Sequence, residues 1–204
     1  MMTLKMTIIN NMHFRSKLTW LAVVSTIIFY GCSENEPSVK PDYTASAELF
    51  QVLSDTDSTY IVTSKPRGNI YVEQTDSVVS MTINLSGFAP NSVHAIHMHH
   101  GSCEQPKHHW NAGSTDTFCN TKSLGFPWSK PYAGDIGNLS IAYDSTGSMT
   151  IKTDLWRLGS GDERDILGLQ VIIHENLQDF TSECDPNHGG HAHFNAKIAC
   201  GKIL

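Results

Sequence analysis

Histidines are concentrated in one short stretch of this sequence. Residues 94–103 read HAIHMHHGSC and hold four of the 11 histidines in the 204-residue chain, followed by a glycine and a cysteine. On a β-strand alternate side chains share a face, so His97 and His99 point one way while His94 and His100 point the other. Two imidazoles two residues apart can bind one metal ion, although a solvated loop, hydrogen-bonded core histidines or chance would give the same pattern.

Two further histidines are placed where they can complete a metal site. His109 lies in HHWNAG, shortly after Cys103, and His174 follows the apolar segment VII. Four neutral imidazoles suit copper, which favours nitrogen ligands and a tetragonal geometry. The pattern therefore indicates a copper site built from three separated segments of the chain.

Short β-rich segments must position these histidines. From about residue 47 the chain runs through YIVT, GNIYVEQ, VVSMTINLSG and SVHAIHMHH, punctuated by Pro, Gly, Asn and Asp. LSIAYDSTGSMTIKTD predicts a hairpin with its turn at residues 144–147, ILGLQVIIHE a strand buried on both faces, and AKIACGKIL a last strand. No long stretch has a helical period. We expect an all-β sandwich or barrel over residues 47–204.

Two long connections interrupt the β pattern. They cover residues 100–133 and 176–196 and are rich in Gly, Pro and His. Long irregular loops on a compact β domain are either functional or disordered. Function is favoured here because both loops contain cysteines that can hold them in place.

Overall composition excludes some classes of protein. The formal net charge is −6, and 17% of residues are charged. This mild acidity offers no basic stripe for nucleic acid. The sequence contains no run of about 20 apolar residues, so a helix that spans a membrane is not expected. The length is sufficient for one domain with its own core.

The first residues have the pattern of an export signal. Arg15 and Lys17 precede the apolar run LTWLAVVSTIIFYG, which is followed by Cys32. A basic start, a short apolar segment and a small residue before the cleavage point are typical of a secretory signal peptide. The sequence therefore predicts a signal peptide over residues 1–31 and an exported protein.

The cysteine that follows this run indicates a lipid anchor. Gly31-Cys32 is similar to the bacterial lipobox, although Phe29 stands where that motif prefers leucine. We expect a lipidated Cys32, a flexible polar linker over residues 32–46, and a place in the bacterial cell envelope, as a periplasmic or outer-membrane lipoprotein held to the membrane by its lipid. An ordinary signal peptide or an uncleaved anchor is the alternative.

Five cysteines are an odd number for an exported protein. Removing Cys32 leaves Cys103, Cys119, Cys184 and Cys200, which allow three pairings. An oxidising compartment favours closing two disulfides. The residues alone do not choose the pairing.

Six motifs in sequence order resemble the copper-zinc superoxide dismutase family. They are HAIHMH at 94–99, a glycine and a cysteine at 101 and 103, HWN at 109–111, GDIGN at 134–138, VIIHE at 171–175 and ACG at 199–201. The spacings also match, with six residues from Cys103 to His109 and 26 from His174 to Cys200. The resemblance covers about residues 45–204. It implies a Greek-key, immunoglobulin-like sandwich of about eight strands that converts superoxide to dioxygen and hydrogen peroxide.

The resemblance assigns roles to individual residues. His97, His99 and His174 match copper ligands, and His109 matches the histidine that bridges copper and zinc and carries a proton in catalysis. His94 matches a structural histidine that hydrogen-bonds a loop beside the site.

The resemblance also implies a disulfide. Cys103 and Cys200 match the family disulfide, which attaches the ligand loop to the last strand. A second bridge between Cys119 and Cys184 is then a hypothesis, which non-reducing peptide mapping tests.

The zinc site of the family is incomplete in this sequence. Asp135 fits the zinc aspartate, but Tyr132 stands where the family has a ligand histidine, and no histidine occurs between His109 and His174. Structural zinc takes four ligands. We therefore expect copper without a normal zinc site.

Other departures surround the expected metal. The family aspartate that links the two metal sites falls on Gln178, with Asp179 adjacent. Five histidines after the predicted signal peptide have no assigned role and would form a second site, bind metal loosely or lie in a solvated loop: His100, His108, His188, His191 and His193.

Lys197 lies three residues before Cys200, where the family places an arginine near the copper. A cation there attracts superoxide; field focusing raises association rates by about 10 to 10³-fold, and this enzyme family is itself an example. Lysine keeps the charge but lacks the planar fork of arginine. We expect Lys197 to act in catalysis, with weaker activity; the alternative is a lysine that merely solvates a strand end.

The sequence thus predicts a copper-dependent superoxide dismutase whose partner is the superoxide anion. An exported copper-buffering module that keeps the imidazoles without the chemistry is the main alternative, and a structural sandwich domain is a third. The oligomeric state is left open, with a homodimer as one option.

Overall fold

A computed structural model describes residues 41–54, 59–114, 132–178 and 195–204. Within these ranges all regular secondary structure is β, and no helix is long and apolar enough to cross a membrane. The nine strands are β1 (Tyr43–Ser54), β2 (Tyr60–Thr75), β3 (Val78–Ser86), β4 (Val93–Gly101), β5 (Pro106–His109), β6 (Asp135–Ser140), β7 (Thr146–Thr153), β8 (Gln170–His174) and β9 (Lys197–Lys202).

The strands form one curled antiparallel sheet. Its order is β5-β4-β8-β9-β1-β2-β3-β7, and β6 pairs with β4 beside this path. Strands β3 and β4 are consecutive in the chain but lie far apart in the sheet, as in a Greek key. The all-β prediction is confirmed, with nine strands described instead of about eight.

The core fills the inside of the curl because the strands alternate apolar and polar residues. In β3 every second residue is buried, and these residues are Val79, Met81, Ile83 and Leu85. The opposite residues of β3 are polar or partly exposed, which is the period-two pattern of a strand with one face in the core.

Strand β8 is buried on both faces, as its apolar sequence predicts. Val171 and Ile173 point into the main core, whereas Ile172 belongs to a second small cluster that contains Tyr60. His174 shares the face of Ile172 because residues two apart lie on the same side. One strand therefore contributes to the core on one face and to the histidine site on the other.

The pairing of the predicted hairpin is wrong. The turn lies where expected, with Asp144 Oδ1 accepting hydrogen bonds from the backbone and hydroxyl of Thr146. However, β6 pairs with β4 while β7 pairs with β3. The turn therefore connects strands that are not ladder neighbours, because each finds its partner far away in the sequence.

Three further boundaries differ from the sequence prediction. YIVT and GNIYVEQ form one strand, β2, with a register irregularity opposite Phe50 where Pro66 interrupts regular pairing. Strand β1 begins at Tyr43, four residues before the expected domain start, because Tyr43 already pairs with Gln74. Strand β5 lies inside the expected loop 100–133. It was not predicted because its sequence, PKHH, lacks the alternating pattern of β-forming residues.

Candidate metal centre

Strands β4 and β8 place three imidazoles on the outer face of the sheet. Ile96 and Met98 point into the core, so the intervening His97 and its neighbour two residues on, His99, point outward. Strand β4 pairs with β8 such that His97 lies opposite Ile172, which is two residues before His174 on the same face of β8. The strand pairing thus brings the three histidines together.

The fourth imidazole comes from β5. Gly101 has φ +97°, and a Cβ there would collide with the backbone oxygen of Gln105. This tight turn allows the chain to fold back, so that His109 lies directly opposite His99 in the β4–β5 ladder. Sequence analysis placed His109 near the site but did not identify the strand that positions it.

The four side chains form a single potential metal site. One ligand atom from each of His97, His99, His109 and His174 lies within 4.8 Å of the others. Nδ1 of His97 is 3.0 Å from Nε2 of His174. Two nitrogens bound to one metal at about 2.0–2.1 Å and at right angles are about 2.9 Å apart. Nε2 of His99 is buried and has no hydrogen-bond partner among the described residues, as expected of a ligand atom.

Backbone carbonyls orient two of the rings. His99 Nδ1 lies 2.8 Å from the carbonyl oxygen of Lys107, and His174 Nδ1 lies 2.9 Å from that of Asn195. A carbonyl only accepts hydrogen bonds, so Nδ1 of each neutral ring carries the hydrogen and donates. The lone pair is left on Nε2, which therefore points to the centre of the site in both histidines.

His97 is oriented by Gln178. Nε2 of His97 donates to Oε1 of Gln178, which leaves the lone pair on Nδ1. Gln178 is itself fixed, since its backbone exchanges hydrogen bonds of 2.8 and 3.0 Å with the side chain of Asn138 on β6. Gln178, at the position of the family aspartate, thus still orients the ring of His97, but as a neutral hydrogen-bond acceptor.

His109 is oriented by Asp135. Its Nδ1 lies 2.7 Å from Oδ1 of Asp135, a carboxylate that is fully buried. The other oxygen, Oδ2, accepts a hydrogen bond from the backbone of Tyr132 at 3.2 Å. Nε2 of His109 therefore faces the other three imidazoles. The sequence retained Asp135 as a zinc ligand but did not reveal that it binds His109 directly.

Burial keeps three rings neutral and available for metal. Desolvation holds the pKa of His97 and of His99 well below the usual 6.5, and the neighbouring His109 lowers both further. Desolvation also lowers the pKa of His174 to about 3. Metal binding requires a neutral imidazole, so these shifts favour a ligand set over a surface cluster of cations.

The described residues do not fit a zinc site of the family type. Of the expected ligands only His109 and Asp135 are in place within the described ranges, which is two fewer than the four that structural zinc takes. The ring of Tyr132, at the position of a family ligand, lies edge-on to His109 with 5.6 Å between centroids.

Three other histidines of the β4–β5 region lie outside the cluster of four. His94 Nδ1 lies 2.8 Å from the carbonyl oxygen of His174, and its Nε2 lies 2.7 Å from the hydroxyl of Ser92. His100 and His108 are exposed and outside the cluster.

The structure contains one disulfide among the described residues, between Cys103 and Cys200. It joins the segment between β4 and β5 to β9. Several predicted residues lie outside the described ranges: Cys32, Cys119, Cys184, His188, His191 and His193.

Lys197 lies on the metal-facing side of β9. It pairs with His174 across β8 and β9, and the register shifts between Ile173 and His174. Because of this bulge Ile198 packs on the core next to Ala199, and Lys197 is directed to the opposite face. Its ammonium lies 5.1 Å from the ring centroid of Tyr60, a contact that sequence analysis did not anticipate.

Comparison with known proteins identifies the family. The sequence model of the family described as copper/zinc superoxide dismutase (SODC) matches residues 66–203. The chain belongs to the copper/zinc superoxide dismutase family. The match contains all four clustered histidines and both cysteines of the disulfide.

Relatives in the superoxide dismutase family are distant. The chain is 28% identical over 142 residues to superoxide dismutase [Cu-Zn] 2 of Aquifex aeolicus, covering 67% of this chain and 78% of that protein. It is 26% identical over 148 residues to superoxide dismutase [Cu-Zn] of Candida albicans, covering 69% of this chain and 90% of the other.

Solved structures share the superoxide dismutase fold. A SOD-like protein from Bacillus subtilis superposes with a TM-score of 0.56 at 22% identity, covering 78% of this chain and 97% of that one. The Cu/Zn superoxide dismutase from Brucella abortus superposes with a TM-score of 0.52 at 16% identity, covering 79% and 100%. At these identities the likeness concerns the fold.

Proposed function

We propose that this chain is a copper-dependent superoxide dismutase that acts outside the cytoplasm. The observation that carries the proposal is the convergence of four imidazoles within 4.8 Å. Each is oriented by a hydrogen bond on its other nitrogen, and such outer contacts set ligand tautomer and basicity. An all-nitrogen ligand set favours copper over harder, oxygen-preferring metals.

The reaction needs single electrons and protons. Two superoxide anions and two protons yield one dioxygen and one hydrogen peroxide. Copper held by the four histidines would supply the one-electron redox chemistry. The chain itself must keep the ligands in place, attract the anion and deliver protons.

His109 is suited to the proton step. Its side chain is 24% exposed, so it borders solvent, while Asp135 is fully buried behind it. Asp135 holds the hydrogen on Nδ1, so Nε2 is the ring nitrogen that would take a proton from solvent and pass it to the reduced oxygen, at the stage of the cycle when it is not a copper ligand. The aspartate thus performs the orienting role that zinc has in the family.

Copper loading and dismutation together test the proposal. We expect copper-loaded protein to bind one copper and to consume superoxide catalytically. His99→Ala should lose most bound copper and activity, because it removes a buried ligand. His100→Ala is the matched control, since the adjacent histidine is exposed on the other face and should leave both unchanged. Full copper loading without superoxide consumption would refute the enzyme and support the copper-buffering module.

Lys197 is proposed to attract superoxide. Lysine keeps the positive charge of the family arginine but lacks the planar guanidinium group that would hold an anion at two points. We expect Lys197→Arg to raise turnover per bound copper several-fold and Lys197→Gln to lower it. Stopped-flow dismutation at low salt measures both. No gain in the arginine variant would count against a role for the lost fork.

Export and lipidation are proposed from residues 1–46 alone. The basic and apolar pattern before Cys32 favours a bacterial envelope lipoprotein. Mass spectrometry of the mature N-terminus should find Cys32 as the first residue with lipid attached, and Cys32→Ser should abolish the lipid. Cleavage elsewhere would exclude the anchor. Non-reducing peptide mapping tests the proposed Cys119–Cys184 bridge, and a free thiol on either residue would reject it.

A further inference from the structure

Lys197 and Tyr60 form a cation–aromatic pair beside the imidazoles. Nζ of Lys197 lies 5.1 Å from the centroid of the Tyr60 ring and 3.4 Å from its hydroxyl. The hydroxyl oxygen is the nearer contact, so the ammonium lies at the hydroxyl end of the ring and not above its face. The oxygen accepts a long hydrogen bond from the ammonium.

The lysine is directed to this place by the sheet. Its cross-strand partner is the ligand His174, and the bulge at Ile198 directs its side chain outward. The ammonium therefore lies on the same face as the ligands.

Tyr60 is well fixed. It is only 4% exposed and packs in a small cluster with Val52, Ile172 and Cys200. Its backbone N–H donates to the carbonyl oxygen of Glu104 at 2.9 Å. The ring is therefore a rigid support, anchored next to the disulfide that also restrains the β4–β5 segment.

We propose that Tyr60 is a positioning residue that holds the Lys197 ammonium ready to capture a small anion at the copper centre. This rests on the proposed copper site. A lysine side chain is long and flexible, and ordering one such side chain changes binding by about three- to tenfold. An arginine would be held by its fork, whereas this lysine is held at the hydroxyl end of one phenol ring.

Azide binding to copper-loaded protein tests the proposal without turnover. We expect Tyr60→Leu to weaken azide binding, followed by its charge-transfer absorption, by about three- to tenfold. In a Lys197→Met background the same change should have no further effect, because the partner is gone. Tyr71→Leu is the matched control, since Tyr71 is exposed on the same strand, β2, and should leave azide binding unchanged.

A second variant keeps the shape of the ring and therefore the fold. Tyr60→Phe removes only the hydroxyl oxygen that lies nearest the ammonium, so it should weaken azide binding by about three- to tenfold, as Tyr60→Leu does. Native affinity in Tyr60→Phe, or an equal loss with and without Lys197, would overturn the proposal. Azide binding that follows these expectations in protein that does not consume superoxide would refute only the enzyme.

Discussion

At the scale of single residues, the centre is defined by what each imidazole does with its second nitrogen. Two rings donate to backbone carbonyls, one to Gln178 and one to Asp135. The two side-chain acceptors differ in charge, so His97 has a neutral support and His109 an anionic one. An anionic acceptor makes the stronger hydrogen bond, so the ring proposed to carry a proton is the one held most firmly by a side chain.

Asp135→Asn tests the anionic support. The asparagine still offers one oxygen, but its amide group meets the backbone N–H of Tyr132, leaving two donors facing each other. Loss of such an outer contact typically costs about 10–100-fold in metal affinity or activity. We expect a fall of that size in turnover per copper. Asp144→Asn, in the exposed turn between β6 and β7, is the control and should have no effect.

At the scale of elements, a four-residue strand has a large share in the site. Strand β5 contributes His109, and its backbone at Lys107 also orients His99. The glycine turn before it makes this pairing possible. A short strand with few ladder bonds gains most of its order from the turn and from the disulfide beside it.

Gly101→Ala should therefore reduce both stability and copper retention. The substitution places a Cβ at positive φ and against Gln105, so we expect a loss of about 1–3 kcal/mol in the free energy of unfolding. Gly161→Ala is the matched control, because Gly161 also has positive φ but nothing lies within 4 Å of the added Cβ. Urea unfolding and copper content measure the difference. Equal effects of the two variants would contradict the role of the collision.

Elements also show where sequence reasoning succeeds and where it stops. The alternation in VVSMTINLS and the apolar run of β8 are local, so both strands were predicted, although β8 begins only at Gln170 and residues 166–169 of the predicted strand lie outside it. The partners of β6 and β7 were not, because closure of the sheet decides them over long sequence distances. Strand β5 was missed for the same reason, since PKHH becomes a strand only by pairing with β4.

The site was partly predictable on the same grounds. His97, His99, His109 and His174 were assigned through motif spacing, and the fold brings them together. The contacts of Asp135 with His109 and of Lys197 with Tyr60 depend on angles and distances that no spacing encodes. Only the second involves a position where the sequence departs from its family, Lys197 in place of an arginine.

At the scale of the whole molecule, the buried histidines make stability depend on pH. The folded pKa values of His97, His99 and His174 are lowered, whereas in the unfolded chain each is near 6.5. Below about pH 6.5 the unfolded chain therefore binds more protons than the folded one, and stability falls as pH falls. Above that pH these groups have no effect.

Urea unfolding of metal-free protein at pH 7.5, 6 and 5 measures this dependence. Each neutral ring contributes a slope of about 1.4 kcal/mol per pH unit once its unfolded form is protonated. For His174 this continues down to its folded pKa of about 3. His97→Gln should reduce the slope, whereas His100→Gln should not. A stability independent of pH between 7.5 and 5 would contradict the buried, neutral state.

The disulfide constrains the whole chain. Cys103 and Cys200 are 97 residues apart, so their bond closes most of the domain into one loop. Removing a native disulfide typically costs about 2–5 kcal/mol. We expect the Cys103→Ser, Cys200→Ser double variant to unfold at correspondingly lower urea. An unchanged midpoint would show that strand pairing alone holds the sheet closed.

The two-sided pattern of β4 has a consequence for folding fidelity. Ile96 and Met98 pack in the hydrophobic core, whereas His97 lies on the opposite face of the strand. A slip of one residue against β8 would exchange the two sets, burying imidazoles among hydrocarbons and dispersing the ligands. Only the native register brings the four histidines together, so a bound metal ion would stabilise that register over the slipped one.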